Sequence, residues 1–240
     1  MDHILPAELE CRIFAIAAST WPTRIPDLMR VAQRVKVWIE PLLYRIIFLY
    51  HRPAVVDDLK LPKFSVDILR RAISQHPPDF FKNTTQHLFL GHPTSGPLLS
   101  SEFLDTLFTV CSNVTSVFLL WTLQPANIPA LASLPSLRRL ALDIKVGMSG
   151  IPDPLIHRLF RNITHLEVLD FPVEHAALSL SQLPNLTHFA FNPSRSGTPE
   201  SDTTTLWCSV LPSCACVHLK CIVFLSMGAT GDLSRVSALK

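Results

Sequence analysis

The stretches VTSVFL (114–119), LRRLAL (137–142), ITHLEV (163–168) and LTHFAF (186–191) share one form, apolar-x-x-apolar-x-apolar. Two further copies flank them, TQHLFL (85–90), with Thr85 weak at the first position, and LKCIVF (219–224). Their central residues, Leu88, Val117, Leu140, Leu166, Phe189 and Ile222, recur at steps of 29, 23, 26, 23 and 33 residues. The closing apolar-x-apolar suits a strand with one buried face, because successive strand side chains point to opposite sides. Self-similarity at such a period is the signature of a stacked repeat architecture.

Short amphipathic helices are predicted between these strands, at 101–112, 128–135, 154–162, 174–184 and 205–211. Strand, helix, strand at this spacing gives right-handed crossovers and parallel strands. The steps lie in or near the leucine-rich-repeat range of roughly 20–29 residues, with segments 91–100 and 192–204 as insertions. The expected fold class is therefore α/β, with three parts: a small N-terminal helical segment over 1–50, a linker over 51–64, and a right-handed leucine-rich-repeat solenoid over 65–240. The solenoid would carry its parallel sheet on the concave side. No polar cap is evident after Met227.

Alternation also sorts the residues between the buried ones into columns on the open face. The first contains His87, Ser116, Arg139, His165, His188 and Cys221. The second contains Phe89, Phe118, Ala141, Glu167, Ala190 and Val223. The third contains Gly91, Leu120, Asp143, Leu169, Asn192 and Leu225. A wall mixing apolar, histidine and charged groups fits a partner chain, with Phe89 and Phe118 as anchors.

Four N-x-[ST] triplets, at Asn83, Asn113, Asn162 and Asn185, raise the reading of a glycosylated extracellular protein. The repeat offers another account. Asn113, Asn162 and Asn185 each stand four residues before the central apolar residue of their strand. A glycan site has no reason to keep register with a buried strand, whereas a turn residue tolerant of strained dihedrals does. The threonine two residues after each asparagine is a good strand residue.

Composition narrows the function classes. Of 240 residues, 48% are apolar and 17% charged, with a mean hydropathy of +0.30, which argues for a packed core. A formal net charge of +2, with no block of Lys and Arg, does not suggest nucleic acid as a partner. Seven glycines against 20 prolines speak against a glycine-rich phosphate-binding core. No secretory signal is legible, and no run reaches the roughly 18 apolar residues of a membrane span. A cytoplasmic or nuclear protein with reduced thiols is expected.

Residues 4–50 are patterned as helices. Leu9, Ile13, Phe14 and Ala17 share one face after Leu5-Pro6, and Pro26 suits a first helical turn. Leu28, Val31, Val35, Trp38 and Leu42 continue at steps of three and four, with Pro41 expected to split the run into two helices.

LPAELECRIF (5–14) resembles the opening of an F-box, the motif that docks on the Skp adaptor of cullin-RING ubiquitin ligases. VAQRV (31–35) is similar in part to the family's Val-Cys/Ser-Arg-x-Trp region, and Leu43-Tyr44-Arg45 to its closing Leu-Trp-Arg. Ala32 replaces the usual Cys or Ser and Val35 stands where Trp is common, with Trp38 three residues later. The whole chain resembles the F-box-like proteins with irregular leucine-rich repeats found in mushroom-forming fungi. The resemblance implies that Leu5, Pro6, Leu9, Ile13 and Phe14, with Leu28, Val31, Val35, Trp38, Leu43 and Tyr44, meet the adaptor. The wall residues His87, Phe89, Phe118, Leu120, Arg139, Asp143, His165, Glu167, Leu169, His188 and Asn192 would hold a target protein. The alternative is a binding scaffold whose N-terminal helices merely cap the solenoid, since repeat stacks need capped ends.

No catalytic motif appears, neither G-x-S-x-G, H-E-x-x-H, a P-loop nor a dinucleotide-binding glycine pattern, so no enzyme activity and no cofactor are expected. Two metal hypotheses arise, His165-His188-Cys221 across adjacent strands and Cys214-x-Cys216-x-His218-x-x-Cys221 near Cys208. Neither has the paired spacing of a zinc site, and no metal is expected.

Overall fold

A computed structural model describes residues 5–49, 60–91, 99–122, 125–143, 158–171, 183–193, 218–227 and 233–239. The chain opens with α1 (Ala7–Thr20), whose N-cap is Pro6 and whose first turn carries Glu8 and Glu10. Carboxylates there face the positive end of the helix dipole. A short 3₁₀ turn (Pro22–Arg24) leads into α2 (Ile25–Leu28), with Pro26 in its first turn as expected. The chain then bends through an extended Ala32 before α3 (Gln33–Leu43).

The predicted helix from Leu28 onward is thus interrupted at 29–32, and Pro41 does not split α3. Pro41 lies in the last turn of that helix, where the missing amide costs a single helical bond and the helix stops two residues later. Ala18, Ile25, Val35 and Ile39 form a small core of their own, with Phe14, Leu28, Trp38 and Leu42 packed against it. Arg34 clamps α1 to α3 by a two-pronged bond to Glu10, at 2.8 and 3.0 Å.

Beyond α3 the chain builds an eight-stranded sheet, its strands ordered as in the chain. These are β1 (Ile46–Leu49), β2 (His87–Leu90), β3 (Ser116–Thr122), β4 (Arg139–Asp143), β5 (His165–Phe171), β6 (His188–Pro193), β7 (Cys221–Met227) and β8 (Leu233–Leu239). Strands β1 to β7 are all parallel, and β8 closes the far edge antiparallel to β7. The six strands expected from the repeat are β2 to β7. Their central residues stand opposite one another in unbroken register, from Leu88 through Val117, Leu140, Leu166 and Phe189 to Ile222.

Two strands are not marked by the repeat. Ile46–Leu49 looks helical in a run of apolar residues, yet it pairs with His87–Leu90 residue for residue. The sheet therefore begins well upstream of residue 65, where the repeat pattern places its start. Strand β8 occupies part of the tail in which no cap is evident from sequence. An antiparallel partner covers the β7 edge that would otherwise present unpaired amides and carbonyls.

The helices α4 (Val66–Gln75), α5 (Asp79–Thr84), α6 (Ser101–Val110) and α7 (Ile128–Ala132) supply the second layer. Ser65 and Ser100 cap α4 and α6, each hydroxyl accepting the amide of the third residue on. Phe103, Leu104, Leu107 and Phe108 of α6 pack into one core with Leu88, Leu90, Val117, Leu119, Leu140 and Leu142 of the strands. Among the other predicted helices, 158–160 is helical within 154–162. Of the helix expected at 174–184 only residues 183 and 184 are described, and these are not helical; the helix expected at 205–211 and most of the expected insertions lie outside the described residues.

Tyr44, at the end of α3, joins the helical module to this core. Its ring meets Phe64, Phe80 and Phe81 with centroids 5.2–5.6 Å apart. Glu40 faces His76 Nε2 at 3.4 Å alongside this cluster. Phe64 thus anchors one end of the segment expected to be a linker.

Candidate functional site

Two surfaces carry the functional expectations, the apolar face of α1 and the open face of the sheet. Leu5 is exposed just ahead of α1, and on the helix itself Leu9 and Ile13 are 50% and 53% exposed with Ile16 open beside them. Leu9, Ile13 and Ile16 keep to helical steps of four and three and form one stripe. Pro6 and Val31 are also exposed, while Phe14, Leu28, Trp38 and Leu43 are half-buried.

Two expected adaptor contacts need correction. Val35 is fully buried in the small core and Tyr44 is buried in the main one, so neither offers a surface to a partner. Their helical spacing matches a docking face, but the bend at Ala32 turns Val35 inward. The exposed Trp21 and Val37 are missed by sequence pattern, because spacing alone does not distinguish an outward apolar residue from a core one.

On the sheet, the first column has the predicted register throughout: His87, Ser116, Arg139, His165, His188 and Cys221. The second column also holds, and β1 extends it by Phe48. Phe48, Phe89 and Phe118 stack across strands β1 to β3, at 5.0 and 4.4 Å between centroids. Each such contact contributes on the order of 1 kcal/mol beyond the area it buries. Ser116 and Ala141 are small enough to disappear between their neighbours. Glu167 lies between Ala141 and Ala190, and burial pushes its carboxyl above the usual range.

The third column breaks. Asp143 does pair with Leu169, but irregularities after Leu119 and Val168 shift Leu120 and Asn192 out of line, and Gly91 lies beyond the end of β2. Strand β3 takes two extra residues against β4, and β5 takes one against β6, so positions that sequence spacing aligns are no longer opposite one another. No period in the sequence marks them.

The leading edge of the sheet explains the N-x-T triplets. Each strand is preceded by a residue whose carbonyl accepts two amides from the next unit. The series runs Arg45, Gln86, Thr115, Arg138, Thr164 and Thr187, the last accepting from Lys220 and Cys221. Threonine adds a third bond: the hydroxyls of Thr115, Thr164 and Thr187 donate to the carbonyls of Gln86, Arg138 and Thr164, at 2.9–3.1 Å. The asparagines do not take the strained backbone expected of them. Among the described residues, the non-glycine position with positive φ is Lys60. Asn185 instead donates to the carbonyl of Arg161 in the preceding unit, at 2.7 Å.

The same threonines fix two histidines. Thr164 Oγ1 lies 2.9 Å from His165 Nδ1, and Thr187 Oγ1 lies 2.8 Å from His188 Nδ1. Each hydroxyl proton is already given to a carbonyl, so the neutral ring donates from Nδ1 and leaves Nε2 bare. The two rings are stacked 2° from parallel, which makes their Nε2 lone pairs run side by side instead of converging. Among the described residues, no group of three His, Cys, Asp or Glu could hold a metal ion. Cys208, Cys214 and Cys216 lie outside the described residues.

Cys111 is buried, and its thiol is pushed up to about 12 by that burial, so it is no nucleophile at neutral pH. No helix among the described residues is long and apolar enough to cross a membrane.

No protein-family model matches this chain, and no curated protein matches its sequence.

Proposed function

We propose that this chain is a substrate-recruiting subunit of an SCF-type cullin-RING ubiquitin ligase. Residues 5–45 dock on a Skp-family adaptor, the repeats form a leucine-rich-repeat solenoid that binds a target protein, and the transfer chemistry belongs to the partners. Such a protein works in the cytoplasm or nucleus and needs no cofactor. The supporting observation is the α1 stripe of Leu9, Ile13 and Ile16, with Leu5 just ahead of the helix, left in solvent although the module already has its own core. An apolar stripe in this position is suited to a partner.

A second reading is favoured by one contact: Tyr44 roots the helical module in the main core, as a capping element would be rooted. On that reading the chain is a leucine-rich-repeat scaffold without a ligase role. Co-purification with a Skp-family adaptor separates the two. Wild type binds at micromolar concentration and the Leu9→Asp, Ile13→Asp double variant does not. A folded wild-type chain that ignores the adaptor rejects the ligase reading.

A further inference from the structure

The leading edge of the parallel sheet has one position per strand whose side chain stands at the rim. In order these are Arg45, Gln86, Thr115, Arg138, Thr164, Thr187 and Lys220. The cations stand immediately before β1, β4 and β7, three strand steps apart each time. Neighbouring strands lie about 4.8 Å apart, so the charges are spaced at about 14 Å. The rim between Arg138 and Lys220 is an open polar depression, also lined by Asn162, Asn185 and His218. Among the described residues, no carboxylate lines it.

The rim is preorganised. Arg138 Nη1 donates to the carbonyls of Pro135 and Leu137, at 3.1 and 3.0 Å, which pins the guanidinium to the turn. Arg45 Nε donates to Gln86 Oε1 at 3.0 Å. The lining threonines are used up by the ladder of carbonyls beneath them, so they shape the floor and the cations carry the attraction. Arg139, the next residue along β4, carries a further exposed positive charge onto the wall.

We propose that this rim binds an extended acidic segment of a protein target, running across the strands with carboxylates about four residues apart. An extended chain advances about 3.4 Å per residue, so four residues span about 14 Å, the step between successive cations. A single phosphate reaches one cation at a time, and nucleic-acid phosphates lie far closer together than this spacing. Charge complementarity at that interval selects a polypeptide. The inference rests on the reading that the repeats hold a protein target, and apart from Arg45, at the end of the segment proposed to dock on the adaptor, its residues lie outside that segment.

The test uses the full chain and fluorescein-labelled Gly/Ser peptides carrying three Glu residues at intervals of two, four or six. Polarisation is read at low and physiological salt. The peptide with intervals of four should bind tightest, and Lys220→Glu should weaken it on the order of tenfold, since reversal replaces attraction by repulsion. Lys220 lies at the exposed rim, so the variant should melt with wild type, which thermal unfolding checks. Arg45→Gln is a second variant on the opposite end and should shorten the preferred peptide by one acidic position. The proposal is overturned by equal binding of Gln-substituted peptides, by indifference to interval or to both substitutions, or by equally tight binding of a singly phosphorylated peptide or an oligonucleotide. These outcomes leave the adaptor experiment untouched, so the two readings fail separately.

Discussion

The imidazole rings of His165 and His188 lie face to face on neighbouring parallel strands, with centroids 4.2 Å apart. Burial, then the neighbouring His188, then Arg139 make His165 harder to protonate than an ordinary histidine. His87 is shifted the same way, by burial and by Arg45 and Arg139. Both hold protons less readily folded than unfolded. Their contribution is complete above the ordinary value of 6.5 and is lost as pH falls from there toward the lowered folded values. Glu167 acts oppositely, because its folded carboxyl holds a proton more readily than the unfolded one. Thermal melts at pH 7.5, 6.5 and 5.5 should show falling stability. His165→Gln should flatten the fall, and an unchanged slope in His165→Gln would refute the assignment.

The threonine ladder predicts a measurable cost for a nearly isosteric change. Thr187→Val keeps the shape of a good strand residue but removes the hydroxyl that donates to Thr164 O and receives His188 Nδ1. The expected loss is about 1–2 kcal/mol by urea unfolding. The ¹⁵N shifts of His188 should also move away from the Nδ1–H tautomer, which a general strand effect would not produce.

The two faces of the N-terminal module should respond in opposite ways. Ile39 is fully buried in the small core, and Ile39→Ala should destabilise by about 2–5 kcal/mol. Leu9→Asp and Ile13→Asp lie on the open stripe and should stay within about 0.5 kcal/mol of wild type. Urea midpoints decide this. If the Asp variants unfold the protein, the stripe is packing surface and not a docking face.

Cys111 should resist alkylation in the native state. Iodoacetamide followed by peptide mass mapping should find it unmodified at pH 8 while the partly exposed Cys11 and Cys221 react. Labelling of Cys111 at the rate of Cys11 would contradict the burial that raises its thiol.

The sequence by itself determined the parallel sheet over β2 to β7 and the membership of its first two columns. Those rest on a period of two inside a period of about 25, and a one-residue slip would put Leu140 or Leu166 in water. Only the tertiary structure decided the rest. Ile46–Leu49 is a strand because His87–Leu90 lies beside it, and no local pattern records a partner some 40 residues away. Val35 and Tyr44 turn inward because Ala32 bends the chain and the Phe64–Phe81 cluster receives the tyrosine ring. The role of the N-x-T threonines likewise belongs to the assembled stack: their hydroxyls bond to the preceding unit, and those carbonyls come within reach only when the strands are side by side. Local alternation is written residue by residue, whereas bonds between units are set by packing.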